Sequence, residues 1–133
     1  MVHVLVVDDD DDVRLAIRLA LEDEGYTVIE ARTGREALCI LRATRQPLVA
    51  LVDQVMPTMT GLALLRLISL NGDLARRHAF ALVTASPSVV TAEVAALAPM
   101  IGAGLLAKPF QLDDLFAVVA RAAQRLEAGD PEA

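Results

Sequence analysis

Three short runs of uninterrupted apolar residues constrain the fold of this chain more than any other feature. They are Val4–Val7, Leu48–Val52 and Ala79–Val83. Runs that are apolar at every position are typical of strands buried on both faces of a parallel sheet, since a strand with one solvated face alternates apolar and polar residues. Thr27–Ala31 and Leu105–Ala107 match this pattern less well, so we predict five strands in all.

Helical patterns lie between these runs, because apolar residues there recur every three or four positions. The helical segments follow the aspartates at positions 8–12, Gly34 and Pro87, and also cover Leu62–Leu70 and Leu112–Leu126. Strand and helix therefore alternate five times. This alternation predicts an α/β fold in which a parallel sheet carries helices on both faces, a three-layer sandwich. Ligands of such sheets bind at the carboxyl ends of the strands.

The composition indicates one small domain without a membrane span. The chain has 133 residues, and about 100–200 residues per domain is usual. Its formal net charge of −6 argues against a general nucleic-acid binder, whose phosphate partner requires a basic face. Long uncharged runs such as residues 94–107 are shorter than the roughly 20 apolar residues of a membrane helix. No secretory signal is visible either, so we expect a cytoplasmic protein. Cys39, the only cysteine, is expected to be a small core residue.

Five consecutive aspartates, Asp8–Asp12, mark the point where the first strand ends and the first helix begins. Helix capping and the helix dipole account well for the last three of them. They account poorly for Asp8 and Asp9, which close a buried strand, because two like charges about 4 Å apart cost roughly 4 kcal/mol at an effective dielectric constant of 20. A divalent cation would relieve that cost, and solvated caps are the alternative. The acidic turn excludes an ordinary dinucleotide or flavin site, which needs a glycine-rich turn there.

Three further polar residues end other strands of the predicted sheet. Asp53 ends the third strand, Thr84 the fourth and Lys108 the fifth. Lys108 is the only lysine among twelve basic residues, which suggests a site that needs a compact ammonium, although arginine preference can also reflect genome composition. Taken alone, an aspartate after a strand is more often a turn residue than a catalytic one. Convergence with Asp8 and Asp9 at one sheet edge favours the functional interpretation.

The order of these motifs resembles the receiver domain of bacterial response regulators over residues 2 to about 126. The matching motifs are Val7-Asp8-Asp9-Asp10 with Arg14, Asp53 followed by Met56-Pro57 and Gly61, Thr84-Ala85, and Lys108-Pro109-Phe110. The resemblance implies a flavodoxin-like sheet of order 2-1-3-4-5 with five helices. It also implies one receiver domain, residues 1–126, followed by a polar tail at residues 127–133. No effector domain follows, so the chain would be a stand-alone regulator or part of a larger protein.

The same resemblance assigns roles to individual residues. Asp53 would accept a phosphoryl group from a sensor histidine kinase or a histidine phosphotransfer protein of a two-component pathway. Asp9, Asp53 and the backbone carbonyl of Val55 would bind Mg²⁺, and Asp8 would assist through water. Thr84 and Lys108 would hold the phosphoryl oxygens. The output would be a downstream protein target or an attached effector, with no nucleic acid or membrane bound by this domain itself.

Two features depart from the family pattern. Receiver domains usually carry an aromatic residue three positions before the lysine, and Leu105 stands there, so we do not transfer the aromatic switch. The segment from Thr84 to Lys108 is also longer than usual, and Pro99 is expected to end or kink its helix. Apolar residues in that segment form either a partner or homodimer patch or, as we favour, ordinary core: Val89, Val90, Leu97, Met100 and Ile101.

Two other functions remain possible from the sequence. A metal-dependent phosphatase acting through an aspartyl-phosphate usually has a second acid two residues after the nucleophile, where this chain has Val55, and a cap insertion, which is missing. A degenerate receiver acting as a scaffold without phosphorylation is disfavoured by the intact acidic set and kept open by Leu105. We expect no function for His3 or His78.

Overall fold

The fold is built on a five-stranded parallel sheet. The computed structural model describes residues 2–128, and for Ala98 and Ala128 within this range it describes the backbone alone. The strands are β1 (His3–Val7), β2 (Val28–Ala31), β3 (Leu48–Asp53), β4 (Ala79–Thr84) and β5 (Gly104–Ala107). They lie in the order β2-β1-β3-β4-β5. The predicted flavodoxin-like strand order is confirmed.

The position of each strand in the sheet explains how strongly its sequence signals a strand. The central strands β3 and β4 are buried at every position, and β1 is buried at all but its first. The edge strands β2 and β5 bury only Ala31 and Leu106, respectively. A strand with one unpaired edge tolerates polar residues, so Thr27–Ala31 and Leu105–Ala107 gave the weaker patterns.

Six helices connect the strands within residues 2–128. They are α1 (Asp11–Asp23), α2 (Gly34–Ala43), α3 (Gly61–Ser69), α4 (Gly72–Arg77), α5 (Pro87–Ile101) and α6 (Leu112–Ala128). Five of them match the predicted helices. The short helix α4 is an addition, and its six residues are too few to show a helical repeat of apolar positions. Its N-cap is Asn71, whose side chain accepts hydrogen bonds from the first turn.

Two apolar cores, one on each face of the sheet, complete three layers. On one face the sheet packs against α2, α3 and α5, with Leu41, Leu65 and Ile101 fully buried. On the other face it packs against α1 and α6, with Leu21 and Val119 fully buried. The helices therefore cover both faces, as the uninterrupted apolar runs of β3 and β4 require.

The segment between Thr84 and Lys108 is mostly core. Val90, Leu97 and Ile101 are buried, which confirms the core interpretation for these three residues, while Val89 and Met100 are exposed. Helix α5 continues for two residues beyond Pro99, so that proline lies in the last turn.

The structure differs from the sequence predictions at Cys39 and at the end of the last helix. Cys39 is exposed, so its prediction as a core residue is wrong: it lies on the outer side of α2, away from the buried Ala37 and Leu41. Helix α6 extends to Ala128, so the first two residues of the predicted tail are helical, and residues 129–133 lie outside the described part of the chain.

Candidate functional site

The carboxyl ends of four neighbouring strands meet at one edge of the sheet. Parallel pairing aligns Val7 with Val52, Asp53 with Val83 and Thr84 with Ala107. The residues that end or directly follow β1, β3, β4 and β5 therefore lie side by side at this edge: Asp8, Asp53, Thr84 and Lys108. The sequence prediction relied on this convergence.

Three carboxylates form a compact cluster at this edge. Asp8, Asp9 and Asp53 each offer an oxygen, and these oxygens lie within 4.8 Å of one another. Asp8 and Asp53 are buried, with 3% and 7% of their surface exposed, whereas Asp9 is exposed. Carboxylate oxygens beside open solvent suit Mg²⁺, which takes one or two carboxylates and keeps several waters. The donor set therefore fits the ion.

The electrostatics of Asp8 reflect this crowding. Burial raises the pKa of the Asp8 carboxyl above its ordinary value, and the charges of Asp53 and Asp9 raise it further. The backbone N–H of Asp10 and the ammonium of Lys108 act in the opposite direction. In the absence of a cation, the ionised form of Asp8 is thus disfavoured, and a bound cation would remove that penalty.

Lys108 contacts the cluster directly. Its Nζ lies 2.9 Å from Oδ1 of Asp53 and 3.9 Å from Oδ2 of Asp8. Its backbone N–H donates to the carbonyl of Thr84 at 2.7 Å. The hydroxyl of Thr84, a buried residue, accepts a hydrogen bond from the N–H of Ser86 at 3.0 Å. The ammonium and the hydroxyl thus belong to residues joined across adjacent strands.

Gln54 organises the loop that follows Asp53, and sequence reasoning missed it. Its N–H donates to the carbonyl of Val83 at 2.9 Å and its carbonyl accepts from the N–H of Gly61 at 3.0 Å. Its side-chain Oε1 accepts from the N–H of Leu62 at 2.8 Å. These bonds tie the start of α3 to the end of β3. Glutamine has no distinctive position in a sequence pattern, so no signal marked it.

Gly61 allows α3 to begin directly against Asp53. A Cβ at this position would lie 2.5 Å from the carbonyl oxygen of Asp53 and 2.6 Å from Cδ1 of Leu82. Both distances are below any normal contact, so only glycine fits. Val55 lies in the same loop with its side chain 76% exposed. Its assignment as a carbonyl ligand stays a prediction.

Two of the three remaining aspartates of the acidic run, Asp10 and Asp11, have structural partners. Oδ1 of Asp10 accepts hydrogen bonds from the N–H groups of Asp12 and Val13, at 2.9 and 3.2 Å, and caps α1. Asp11 is held by two arginines: its Oδ1 lies 2.6 Å from Nη2 of Arg14, and both its oxygens lie 2.7 Å from Nη2 of Arg32. The capping interpretation is confirmed for Asp10, and only Asp8 and Asp9 reach the cluster with Asp53.

Leu105, which stands where the family resemblance led us to expect an aromatic residue, is partly buried. Leu105 packs against the core that contains α5. It also lines a cavity of about 330 Å³ at the edge of the sheet, together with Phe80 of β4 and Arg121 and Arg125 of α6.

The comparison with known proteins now agrees with this geometry. The sequence profile of the family described as "Response regulator receiver domain" matches residues 4–120. This chain belongs to the response regulator receiver family. Among curated proteins, this receiver domain is similar to response regulator MprA of Mycobacterium ulcerans, with 37% identity over 99% of this chain and 54% of the relative. It is 38% identical to the DNA-binding transcriptional regulator NtrC of Salmonella typhimurium, over 90% of this chain and 24% of that protein.

Solved structures support the same assignment. The chemotaxis response regulator CheY4 of Vibrio cholerae aligns with a TM-score of 0.77 and 32% identity, covering 92% of this chain and 98% of that one. The signal receiver domain of a histidine kinase from Syntrophus aciditrophicus aligns with a TM-score of 0.80 and 27% identity, covering 98% and 96%. The receiver domain spans about half the length of the MprA relatives it matches. Within residues 2–128, no helix is long and apolar enough to cross a membrane.

Proposed function

We propose that this receiver domain is a Mg²⁺-dependent phosphoacceptor that takes a phosphoryl group onto Asp53. The observation that carries the proposal is the contact of Lys108 Nζ with Asp53 Oδ1 at 2.9 Å, beside carboxylate oxygens of Asp8 and Asp9 within 4.8 Å. An acidic residue that only ends a strand needs neither an ammonium contact nor two further carboxylates. A phosphoacceptor uses both, because the ammonium balances part of the added negative charge and the carboxylates can hold the cation that balances the rest.

Each residue has a separate task in this proposal. An oxygen of Asp53 forms a bond to the phosphorus of a phosphohistidine while the nitrogen–phosphorus bond breaks and its electron pair returns to the imidazole. Asp9 and Asp53, with the carbonyl of Val55, would hold Mg²⁺, and Asp8 would assist through a water molecule. When bound, the ion supplies positive charge that offsets the phosphoryl oxygens. Lys108 and the hydroxyl of Thr84 bind those oxygens from the side of β4 and β5.

The partners follow from this chemistry. The donor is a sensor histidine kinase or a histidine phosphotransfer protein of a cytoplasmic two-component pathway, and the output is a protein target or an attached effector. The signalling unit is residues 1–126, with residues 127–133 outside it. Because Leu105 stands where the family resemblance predicts an aromatic residue, we expect the output face to respond to phosphorylation without an aromatic switch.

Incubation of the protein with acetyl phosphate and MgCl₂, followed by intact mass spectrometry, tests the proposal. We expect one added phosphoryl group, lost when the metal is chelated and lost in Asp53→Asn. Asp12→Asn is the matched control, because Asp12 is an exposed residue of the same acidic run that does not belong to the cluster. It should be phosphorylated as the wild type is.

The outcome also separates the two other functions. A scaffold without phosphorylation would show no added mass under any condition. A phosphatase would release phosphate from added phosphomonoesters in many turnovers, whereas a phosphoacceptor would not. Either result would refute the assignment of Asp53.

A further inference from the structure

Arg14 is the one arginine that is buried among residues 2–128, and it lies beside the acidic cluster. It occupies the first turn of α1 with 9% of its surface exposed. Arginine is rarely buried unless it is fully paired. Neither the phosphoacceptor chemistry nor the packing of the apolar core explains why Arg14 is buried.

The guanidinium of Arg14 joins three elements. Its Nη1 donates to the backbone carbonyl of Asp8 at 2.8 Å, at the end of β1. Its Nε donates to Oε1 of Glu30 at 2.9 Å, in β2. Its Nη2 donates to Oδ1 of Asp11 at 2.6 Å, at the start of α1. The planar fork of arginine can make these three bonds at once, and the single ammonium of lysine cannot reproduce that geometry.

These contacts fix Asp8 from several directions. Its N–H donates to the carbonyl of Ala31 at 3.1 Å, which extends the pairing of β1 with β2 by one residue. Its carbonyl is held by Arg14, and its Oδ1 accepts from the N–H of Asp10 at 2.9 Å. The other carboxylate oxygen, Oδ2, is the one that faces Lys108. The main chain is thus anchored while one oxygen stays directed toward the cluster.

The charge of Arg14 is already balanced by its own partners. Glu30 is shared with Arg18, whose Nη1 lies 2.7 Å from Oε2, and these arginines lower the pKa of the Glu30 carboxyl, Arg18 first. The carboxylate of Asp11 also forms an ion pair with Arg14 and is shared with Arg32. The contact of Arg14 with Asp8 is through a backbone carbonyl, not the carboxylate. Its effect on the cluster is therefore geometric.

We propose that Arg14 is a positioning residue for the cation site: it holds the main chain at Asp8 so that the carboxylates of Asp8 and Asp9 face Asp53. The inference rests on the proposed binding of Mg²⁺ by this cluster. It predicts that the hydrogen-bonding fork, and not the positive charge, is what the site requires.

Calorimetric titration of the metal-free protein with MgCl₂ tests this directly. Arg14→Lys keeps the charge and loses the fork, and we expect the dissociation constant for Mg²⁺ to rise about tenfold, at the lower end of the range for groups that orient metal ligands. Arg18→Gln is the matched control. Arg18 lies on the same helix as Arg14, and its replacement also breaks an ion pair with Glu30 of β2, but Arg18 makes no hydrogen bond to Asp8. We expect its Mg²⁺ affinity to equal that of the wild type.

A second measurement separates positioning from a general loss of stability. In phosphorylation by acetyl phosphate, Arg14→Lys should need more Mg²⁺ for half-maximal rate, with the rate at saturating Mg²⁺ reduced much less. Equal Mg²⁺ affinity in Arg14→Lys and the wild type would overturn the inference, as would an equal loss in Arg18→Gln. If the wild type binds Mg²⁺ but is not phosphorylated, the phosphoacceptor proposal fails while the positioning role stands. If the wild type binds no Mg²⁺, both fail.

Discussion

Replacing Asp8 with asparagine is expected to stabilise the metal-free protein, although Asp8 is among its most buried polar residues. Asparagine has nearly the same shape as aspartate and keeps an oxygen that can accept the N–H of Asp10, so the turn at the start of α1 is preserved. The substitution removes one negative charge from a cluster of three. It therefore isolates the electrostatic cost of the site from its packing.

The magnitude follows from the distances. At 4.8 Å and an effective dielectric constant of 20, each of the two like-charge pairs of Asp8 costs at least about 3.5 kcal/mol. The attraction between Asp8 and Lys108 at 3.9 Å offsets about 4 kcal/mol of this repulsion. The net repulsion is then about 3 kcal/mol, and solvent screening at the exposed Asp9 reduces it. We expect Asp8→Asn to raise the free energy of unfolding by about 1–3 kcal/mol near neutral pH.

Urea unfolding followed by far-ultraviolet circular dichroism suits this protein, because it has six helices in its described residues and no tryptophan in its sequence. The measurement should be made in chelator and again in saturating MgCl₂. Metal should stabilise the wild type and have little effect on Asp8→Asn, so the difference between their free energies of unfolding becomes smaller or changes sign. Asp12→Asn is the control of opposite sign: it loses a favourable charge in the first turn of α1, worth about 0.3–1 kcal/mol.

The pH dependence gives an independent check. Because burial raises the pKa of Asp8 in the folded protein, the wild type regains stability relative to the variant as the pH falls through that raised pKa. Below 3.8, the ordinary pKa, Asp8 becomes neutral in both the folded and the unfolded state. The advantage of Asp8→Asn is therefore fully present above the raised pKa and disappears at acid pH. A variant less stable than the wild type in chelator, or an advantage that persists in acid, would refute the reasoning.

Two further predictions concern residues near the sheet ends. His78 is fully buried between the N–H of Leu48 and the carbonyl of Leu41, each 3.0 Å from a ring nitrogen, and burial lowers its pKa. Wild-type stability should therefore fall as the pH drops below about 6.5, by up to about 1.4 kcal/mol per pH unit. His78→Leu should abolish that slope and cost about 2–5 kcal/mol by leaving two backbone groups unpaired, and a slope that survives the substitution would exclude His78 as its source. Gly61→Ala should cost about 1–3 kcal/mol and slow phosphorylation, because its Cβ would displace the carbonyl of Asp53. Gly72→Ala, at the first residue of α4 and beside only the flexible side chain of Arg76, should change neither property, and equal effects of the two substitutions would contradict the steric argument.

The sheet and its acidic edge could be predicted because both follow from rules that act locally along the chain. A run such as Leu48–Val52 is apolar at every position only if both faces are covered, and β3 is indeed central. Once the strands are known to be parallel, residues that follow them must share one edge. The sequence therefore predicts, without any knowledge of side-chain contacts, that four residues converge there: Asp8, Asp53, Thr84 and Lys108.

The features that were missed depend on short elements or on contacts distant in sequence. Helix α4 is too short to show periodicity, and the exposure of Cys39 depends on which side of α2 faces the sheet. The proposed role of Arg14, on α1, depends on Glu30, sixteen residues away on β2, and no local pattern indicates that pair. Gln54 acts through backbone groups of α3 and β4, which any residue could offer.

The hydrogen bond from the N–H of Lys108 to the carbonyl of Thr84 adds one rung to the ladder beyond the last paired residues of β4 and β5. The backbones of Thr84, the last residue of β4, and Lys108, the residue after β5, are thereby joined directly. The positions of the two main chains are set by this bond, whereas the ammonium is carried on a flexible four-carbon stem and can adjust to what it binds. Leu105 lies three residues before Lys108 on β5 and packs against the core that contains α5, so this strand links the backbone of Lys108 to that core.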